Sequence, residues 1–292
     1  MKKKIVESIK KLKNIFLKFK KDTYFIESDE DKFFVKSLLE NERIIAIDTE
    51  FDWRNTYFPK LSLLQISTSK NIFLIDCLKC KELKYLKTIL ERKNLLIIFH
   101  SARSDTTVLS TNLNIKLKRV FDIQVAQQLL EKKEIRSYAS LVQLYFSVNL
   151  EKNQTTSNWL KRPLSNEQLE YASDDVNYLI EIYKKQSVKL KKMNLYKLAK
   201  EKSLKQAILG NEKLFVSRIK KINKASNFEK DIFLKRERYA AKKNIPTSYI
   251  FADKNLKEIA KNLKKDEYNS EKVMKLFKSD SLALGFFEYI KL

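Results

Sequence analysis

The most informative segment for the fold is Ile44-Ile45-Ala46-Ile47-Asp48-Thr49-Glu50. A short β-branched run is typical of a buried strand, and here it ends at two acidic residues. Because residues i and i+2 of a strand share a face, Asp48 and Glu50 place two carboxylates close together at the strand's end. Like charges at that separation raise each other's pKa unless a cation lies between them, so the pair predicts a divalent metal or a shared proton. A solvated turn is the alternative on this motif alone.

Short apolar runs after this stretch predict alternating strands and helices. Strands are expected over 61–67, 72–75 and 95–99, with a helix over 81–90 between the last two. Strands that alternate with amphipathic helices indicate an α/β sandwich. The first half of the chain is therefore expected to build a sheet flanked by helices.

The part of the chain from Glu167 onward predicts helices and no strands. Ser165 is an expected N-cap, with Gln168 at the capping-box position three residues later. Residues 179–198 are expected to form one long lysine-rich helix. The helices that follow are expected to be punctuated by Gly210, Pro246 and Gly285. A domain boundary is therefore expected near residues 200–224.

The composition excludes several classes of site. The chain has 292 residues, a formal net charge of +24, one histidine, two cysteines and two glycines. One histidine disfavours Ser-His-Asp catalysis, and two glycines leave no glycine-rich phosphate loop or dinucleotide fingerprint. The 43% of hydrophobic residues allow a buried core, which disfavours disorder. The chemistry is therefore expected from carboxylates, hydroxyls and metals.

The positive charge is concentrated at the two ends of the chain. Residues 1–22 hold nine basic and two acidic residues, residues 23–200 hold 29 and 22, and residues 201–292 hold 22 and 12. A polyanionic partner fits this distribution, because Lys and Arg release counterions from phosphates. Since 50 of the basic residues are Lys and ten are Arg, an A/T-biased gene is an alternative source of the excess.

More acidic residues follow at the expected ends of elements. Asp105 comes after the strand over 95–99, near a helix start at Thr106, and Asp122 opens the next segment. Tyr171 and Asp175 are spaced i, i+4 and so share one face of the helix that begins after Ser165. A phenol one turn from a carboxylate can hold a water molecule that a metal deprotonates. Each of these motifs is common by chance when taken alone.

Taken together, the acidic motifs resemble those of a known superfamily. The order D-x-E, Asp105 and Y-x-x-x-D is similar to the DEDD superfamily of 3′→5′ exonucleases, in its tyrosine-containing subclass. The surrounding sequence resembles ribonuclease D over about residues 25–185. The blocks that carry this resemblance are 46–51, 56–66, 122–126 and 159–176.

The resemblance implies a fold, a reaction and a set of roles. The fold would be RNase H-like, with a mixed central sheet flanked by helices. The reaction would be metal-dependent hydrolysis of RNA from the 3′ end, releasing nucleoside 5′-monophosphates, in tRNA 3′ processing. Asp48, Glu50 and Asp175 would hold one Mg²⁺ or Mn²⁺ ion, Asp48 and Asp105 the second, and Tyr171 would orient the attacking water.

Four further residues near these acids have open roles. His100 and Asp105 form H-x-x-x-x-D, the closing motif of the histidine subclass, but it comes too early in the chain, so we expect His100 to be structural. Asp122 is expected to anchor an element end rather than to bind metal. Phe51 and Arg103 are candidate contacts to the terminal nucleotide, through stacking and phosphate pairing; a core Phe and a surface Arg are the alternatives.

A second resemblance is carried by residues 234–241, Ile245-Pro246, Ile250, Asp253 and residues 256–260. With these residues the last third of the chain resembles the HRDC domain, a small all-α module. The match covers about residues 225–292, and the tryptophan expected before the arginine is absent. An unrelated basic helical bundle is the alternative. The basic residues that would contact phosphates are Lys235, Arg236, Arg238, Lys242 and Lys243. The expected organisation is then an N-terminal extension over 1–22, an exonuclease domain over 23–199, a helical linker over 200–224 and the HRDC-like domain over 225–292.

The remaining expectations concern partners and location. The first 22 residues have the pattern of a basic amphipathic helix, which would contact a membrane surface, RNA or its own domain. The apolar runs are too short for a membrane span, and Cys77 and Cys80 are expected to be reduced thiols, so a cytoplasmic protein is expected. A monomer is also expected. The alternative functions are a single-stranded DNA 3′→5′ exonuclease in repair and an inactive nucleic-acid-binding scaffold.

Overall fold

The structure is a computed structural model that describes residues 21–132, 135–151, 153–264 and 271–291. These residues form two compact units. The first comprises the described residues up to Asp52 together with Leu61–Asn211, and the second comprises Trp53–Lys60 and the described residues from Glu212 onward. The predicted N-terminal amphipathic helix lies outside the described residues, apart from Lys21 and Asp22.

The first unit is built on a six-stranded mixed sheet. The strands are β1 (Asp22–Ile26), β2 (Ile44–Asp52), β3 (Lys60–Ser67), β4 (Asn71–Asp76), β5 (Leu96–Phe99) and β6 (Val120–Asp122). Their order in the sheet is β1-β4-β3-β2-β5-β6. β1 is parallel to β4, β3 is antiparallel to β4, and β2, β5 and β6 are parallel to one another.

Eight α-helices of the first unit cover this sheet. They are α1 (Lys32–Leu39), α2 (Lys84–Leu90), α3 (Arg103–Leu113), α4 (Ile123–Glu131), α5 (Tyr138–Phe146), α6 (Asn166–Asn177), α7 (Leu179–Lys192) and α8 (Tyr196–Asn211). With only two glycines in the chain, three of these helices end at a non-glycine residue in the left-handed region, namely Asn114, Lys132 and Ser147.

The strands alternate between two buried cores, one on each face of the sheet. One core joins α1, α2 and α3 to a face that includes Ile45 and Ile47 of β2. The other joins α4, α5, α6 and α7 to the opposite face, which includes Ala46 of β2. The predicted α/β fold, with a mixed sheet between helical layers, is confirmed.

The structure corrects several element boundaries. β2 does not end at Asp48 but continues to Asp52, so both acids lie within the strand. β1 and β6 were not predicted. The long helix expected over 179–198 is two helices, α7 and α8, separated at Asn194, which has a φ of 57°.

The two glycines differ in where they lie in their helices. Gly285 is inside the helix Asp280–Lys291 and does not punctuate it as expected, whereas Gly210 is the last residue but one of α8. A Cβ atom on Gly210 would come 2.0 Å from the Thr106 hydroxyl oxygen and 2.5 Å from the Arg103 carbonyl oxygen of α3. The Thr107 hydroxyl also donates to the Gly210 carbonyl at 3.0 Å. The missing side chain therefore allows α8 to pack closely on the helix that carries Asp105.

The second unit is helical. Its helices are α9 (Leu214–Ile219), α10 (Asn227–Lys243), α11 (Thr247–Ile250), α12 (Leu256–Lys264), α13 (Glu271–Met274) and α14 (Asp280–Lys291). Its core is rich in aromatic rings, among them Phe251, Phe277 and Phe286. Tyr57 belongs to this core, and its hydroxyl donates a hydrogen bond of 2.8 Å to the buried carboxylate of Glu237. The same carboxylate also accepts a hydrogen bond from Arg218. The segment Trp53–Lys60, which directly follows β2 in the chain, is therefore part of the helical unit.

Candidate metal centre

Two acids of the candidate site come from β2. Asp48 and Glu50 lie two and four residues beyond Ala46, and strand alternation places all three on the same face of the sheet. Ala46 packs against the helices on that face, so the two carboxylates point toward the layer that contains α6. The strand therefore presents both acids to a single helix.

α6 supplies the third acid and the tyrosine. The helix begins as predicted, with a capping box in which the Ser165 side chain accepts from the Gln168 backbone and the Gln168 side chain accepts from the Ser165 backbone. Tyr171 and Asp175 follow one turn apart, and a hydrogen bond joins their side chains. Carboxylate oxygens of Asp48, Glu50 and Asp175 all lie within 4.8 Å of one another.

Asp105 is brought to the cluster by α3. It is buried, in the first turn of the helix, and its Oδ1 accepts a hydrogen bond of 2.7 Å from the Thr49 hydroxyl. Thr49 lies between Asp48 and Glu50 in β2, and Asp105 is close enough to raise the pKa of both neighbours. The structure therefore brings together all five residues for which catalysis was predicted.

The pKa of each acid in the cluster is raised. Burial raises the pKa of Asp48 well above its ordinary value, and the charges of Asp105, Asp175 and Glu50 raise it further. Burial, followed by the charges of Asp175 and Asp105, raises the pKa of Glu50 to about 9. Burial also raises the pKa of Asp175 to about 7 and that of Asp105 to about 6. Hydrogen bonds from Tyr171 to Asp175 and from Thr49 to Asp105 act in the opposite direction and lower these pKa values.

The residues present fit divalent metal ions. Hard cations such as Mg²⁺ and Mn²⁺ prefer carboxylate oxygens, and three of these lie within reach of one position. Burial is the largest cause of the four raised pKa values, and neighbouring acids add to it. A cation among the carboxylates would favour their charged forms against both effects. Without a cation, bringing these acids together costs folding free energy, so the arrangement is that of a metal centre rather than of a structural cluster.

Asp122 anchors two helix starts, as the sequence predicted. Its carboxylate is 1% exposed and accepts from the backbone amides of Ser101 and Ala102, at 3.0 and 2.9 Å. The same carboxylate caps α4 through the backbone amides of Gln124 and Val125. Because Ala102 immediately precedes α3, this capping positions the helix that carries Asp105.

His100 has a structural environment. Its Nε2 lies 2.9 Å from the Arg136 carbonyl oxygen and 3.2 Å from the Gln124 side-chain nitrogen. The ring packs against Tyr138, whose hydroxyl donates to the Asp174 carbonyl of α6 at 2.8 Å. Burial lowers the pKa of His100. These contacts connect the imidazole to the backbone beside Asp175.

The candidate nucleotide contacts differ in where they lie. Arg103 is exposed at the first position of α3, two residues before Asp105. Phe51 is half-buried, and strand alternation places it on the face of β2 opposite to Glu50. Each residue is therefore close in the chain to an acid of the cluster. Phe51 follows Glu50 and lies on the face of β2 that carries Thr49, and Arg103 precedes Asp105 by two residues.

The structure overturns one predicted phosphate contact. Arg236 is 1% exposed, its Nη1 donates to the Phe251 carbonyl at 2.8 Å, and its Nη2 lies 2.6 Å from Asp253 Oδ1. The guanidinium also stacks over the ring of Phe251. It stabilises the interior of the helical unit and is not available to a ligand. By contrast, the basic residues that remain exposed on α10 are Arg238, Lys242 and Lys243.

Sequence reasoning missed two hydroxyl groups near the site and one buried amide on the same face of the sheet. Thr49 donates to Asp105, and the Thr155 hydroxyl lies 3.5 Å from that of Tyr171. Gln65 of β3 is fully buried on the face that holds the acids, and neither of its side-chain polar atoms has a partner within the described part of the chain. Thr and Gln occur throughout strands and loops, so no local signal in the sequence identifies them.

Comparisons with known proteins agree with this geometry. A family model described as 3′-5′ exonuclease matches residues 24–191. Ribonuclease D of Haemophilus influenzae is 35% identical over 149 residues, covering 51% of this chain and 37% of the relative. Ribonuclease D of Bartonella henselae is 31% identical over 250 residues, covering 82% and 61%.

The fold resembles that of a solved enzyme. The crystal structure of Escherichia coli RNase D, described as an exoribonuclease involved in structured RNA processing, matches with a TM-score of 0.78 and 22% identity. The match covers 93% of this chain and 76% of that chain, and at this identity it concerns the fold alone. The matched regions span 37% of the Haemophilus influenzae relative and 61% of the Bartonella henselae relative.

Proposed function

This chain belongs to the 3′-5′ exonuclease family, and we propose that it is a metal-dependent exoribonuclease that shortens RNA from its 3′ end. The observation that carries the proposal is the cluster of Asp48, Glu50 and Asp175, whose carboxylate oxygens lie within 4.8 Å of one another. Asp105 and Tyr171 adjoin it. The relatives named ribonuclease D support RNA as the substrate.

The four acids are proposed to hold two divalent cations. Asp48, Glu50 and Asp175 would hold one, and Asp48 together with Asp105 the other. When bound, the cations activate water and neutralise charge on the departing 3′ oxygen. Thr49 fixes the Asp105 carboxylate by hydrogen bonding, and Asp122 fixes the start of its helix. Tyr171 would orient the attacking water from beside Asp175. The products would be nucleoside 5′-monophosphates.

The substrate and the setting are also proposals. We propose that the substrates are tRNA precursors or other small RNAs and that the protein acts in the cytoplasm as a monomer. The helices of the described residues all fall short of the length and apolarity that crossing a bilayer requires. We further propose an exonuclease domain over 23–199 and an HRDC-like domain over 225–292. The helical residues 200–224 join them in the chain, and those up to Asn211 belong to the first unit. Arg238, Lys242 and Lys243 of the HRDC-like domain would contact phosphates, and Arg103 would contact the terminal nucleotide.

A nuclease assay tests this function. RNA and single-stranded DNA of the same sequence, both labelled at the 5′ end, are incubated with Mg²⁺, Mn²⁺ or EDTA. The expected result is a ladder that shortens from the 3′ end of RNA, requires metal and is absent with EDTA. Equal or faster shortening of DNA would favour a DNA exonuclease. Binding of RNA without metal-dependent shortening of either substrate would indicate a scaffold.

Neighbouring residues of α6 provide a matched pair of variants. Asp175→Asn removes a carboxylate of the cluster, and Asp174→Asn removes one that lies outside it, beside Glu170 and Ser173. The first should abolish shortening, and the second should retain it within about threefold. Full activity of Asp175→Asn would contradict the site assignment.

A further inference from the structure

In the first unit, the excess of basic over acidic residues is concentrated in α7 and α8, two consecutive helices joined by a turn at Asn194. Residues 23–183 contain 22 basic and 22 acidic residues and so carry no net charge. Residues 184–211, by contrast, contain nine basic residues and one acidic residue. We call the basic ones the lysine hairpin. They are Lys184, Lys185, Lys189, Lys191, Lys192, Lys197, Lys200, Lys202 and Lys205.

Base composition of the gene does not explain this concentration. A codon bias toward lysine would act along the whole chain. In residues 23–183, however, the basic residues are matched by an equal number of acidic residues. An uneven distribution of charge between two parts of one folded unit instead indicates an electrostatic role for the charged part.

All nine lysines of the hairpin are exposed to solvent. On α7, Lys185, Lys189 and Lys192 are spaced i, i+4 and i+7 and therefore share one face of the helix. The lysines of α8 follow in the chain after the turn at Asn194.

The charges of the lysine hairpin are hardly compensated by the protein itself. Within the part of the chain that the structure describes, Lys184 is the one hairpin lysine in an ion pair, with Glu181 at 2.6 Å. Lys185 and Lys189 lie over the rings of Phe146 and Tyr145, at 5.1 and 5.0 Å. Aromatic rings orient a lysine without neutralising it, so the charge remains available to an external anion.

The hairpin extends away along the chain from the helix that carries Asp175. α7 directly follows α6, and at 1.5 Å per residue Lys185 and Lys192 lie about 9 and 20 Å along α7 from its start at Leu179. This spread along a helix suits contacts to successive phosphates of an RNA rather than to a single nucleotide.

We propose that the lysine hairpin binds the phosphate backbone of the duplex part of a structured RNA whose single-stranded 3′ end enters the metal centre. The inference rests on the proposed function. Lysine contacts to phosphates hold a nucleic acid in position without reading its sequence, and RNA duplexes are recognised mainly through shape and backbone. The hairpin thus favours structured RNA over short single strands.

The test compares two RNAs and two variants. One RNA is a short single strand, and the other carries the same strand as a 3′ tail on a duplex. The first variant carries Lys185→Gln, Lys189→Gln and Lys192→Gln. The control carries Lys36→Gln, Lys84→Gln and Lys116→Gln, which changes net charge equally at exposed sites elsewhere in the unit. Glutamine preserves helix propensity.

Binding is measured by fluorescence anisotropy in EDTA over a range of salt concentrations. For the tailed duplex, the hairpin variant should bind at least about tenfold more weakly, and the slope of log affinity against log salt should fall by about 2 to 3. The control should bind like the wild type. Both variants should shorten the single strand, with metal, at the wild-type rate.

Three results would overturn the proposal. They are unchanged binding of the tailed duplex, an equal loss with the control variant, and an equal loss on the short single strand. Unchanged RNA binding would point instead to a protein partner for the exposed Val188 and Met193. Because binding is measured without metal, the expected pattern would support this surface even if the wild type shortened no RNA, in which case only the proposed function would fail.

Discussion

Asp76 and the acids of the metal centre, all in the first unit, differ in what surrounds their negative charge. Asp76, the last residue of β4, is fully buried, and Arg162 contacts both of its oxygens, at 2.5 and 2.9 Å. Burial alone would raise the pKa of Asp76, but the hydrogen bonds and charge of Arg162 and the backbone amide of Leu78 hold it below the ordinary value. In the metal centre the same effect of burial is reinforced by neighbouring acids.

The difference shows how structural and functional carboxylates are distinguished. A carboxylate that serves the fold receives its counter-charge from the chain, as Asp76 does from Arg162. Asp48, Glu50 and Asp175 are held together although each destabilises the charged form of the others. Such an arrangement persists when it serves a ligand, here a divalent cation.

The largest expected effect comes from removing a charge at the centre of the metal cluster. Asp48→Asn should lower kcat by at least about 10⁴-fold, about 5.5 kcal/mol, because this carboxylate adjoins all the other acids of the cluster. Steady-state kinetics measures the loss, and circular dichroism checks that the fold is kept. A variant within tenfold of the wild type would contradict the assignment of Asp48.

Removing the counter-charge of Asp76 should mainly affect stability. Arg162→Met leaves a buried carboxylate without its partner and should lower the free energy of unfolding by about 3 to 5 kcal/mol. Urea denaturation measures the change. The double variant Asp76→Leu with Arg162→Met removes both charges and should be more stable than Arg162→Met alone. If the double variant is the less stable of the two, the pair does not act through charge compensation.

A smaller effect is expected for the tyrosine beside the cluster. Tyr171→Phe keeps the ring that packs near Trp159 and removes the hydroxyl, so kcat should fall about 10- to 100-fold while KM changes little. Tyr24→Phe is the control, because Tyr24 packs in the core on the other face of the sheet. An unchanged kcat for Tyr171→Phe would exclude a role in orienting water.

The smallest expected effect is on the stability of the metal-free protein. Glu50 has a pKa of about 9 in the folded state and about 4.3 when unfolded. As pH rises from about 4 to 9, the unfolded chain releases this proton before the folded chain does, so stability falls across that window. Glu50→Gln should therefore raise the metal-free stability by about 1 to 2 kcal/mol at pH 8, since the cluster shares its protons.

Thermal unfolding in EDTA and in Mg²⁺ tests this effect. At pH 8 the wild type should gain stability with Mg²⁺, whereas Glu50→Gln should start from a higher Tm and gain less. At pH 4 the two proteins should differ little. The exposed Glu40→Gln should behave like the wild type at both pH values. A lower metal-free Tm for Glu50→Gln at pH 8 would contradict the repulsion argument.

Much of the fold could be predicted because hydrophobic patterns are local. The central strands β3, β4 and β5 were expected nearly within their observed limits, as was the capping box of α6. β1 and β6 escaped prediction because each is short and becomes a strand by pairing in parallel with a distant segment. The extent of β2 was underestimated because its last residues are acidic, and acids are unusual in a strand interior.

The candidate site was predicted as a set of residues but not as an arrangement. The order of Asp48, Glu50, Asp105, Tyr171 and Asp175 suggested the superfamily. Their convergence depends on the packing of α3 and α6 on the sheet, which Gly210 and Asp122 help to set. Arg236 shows the converse, because a basic residue in a basic run proved to be buried against Asp253.

The alternation of elements, the supply of acids and the excess of lysine can be predicted from the sequence, because each follows from residue types and local spacing. Which charges are compensated depends on the tertiary structure. It gave Asp76 an arginine, left the metal-centre acids to repel one another, and set nine lysines on exposed faces of one hairpin. Compensation depends on distances and burial between segments far apart in the chain, and electrostatic energy is sensitive to both.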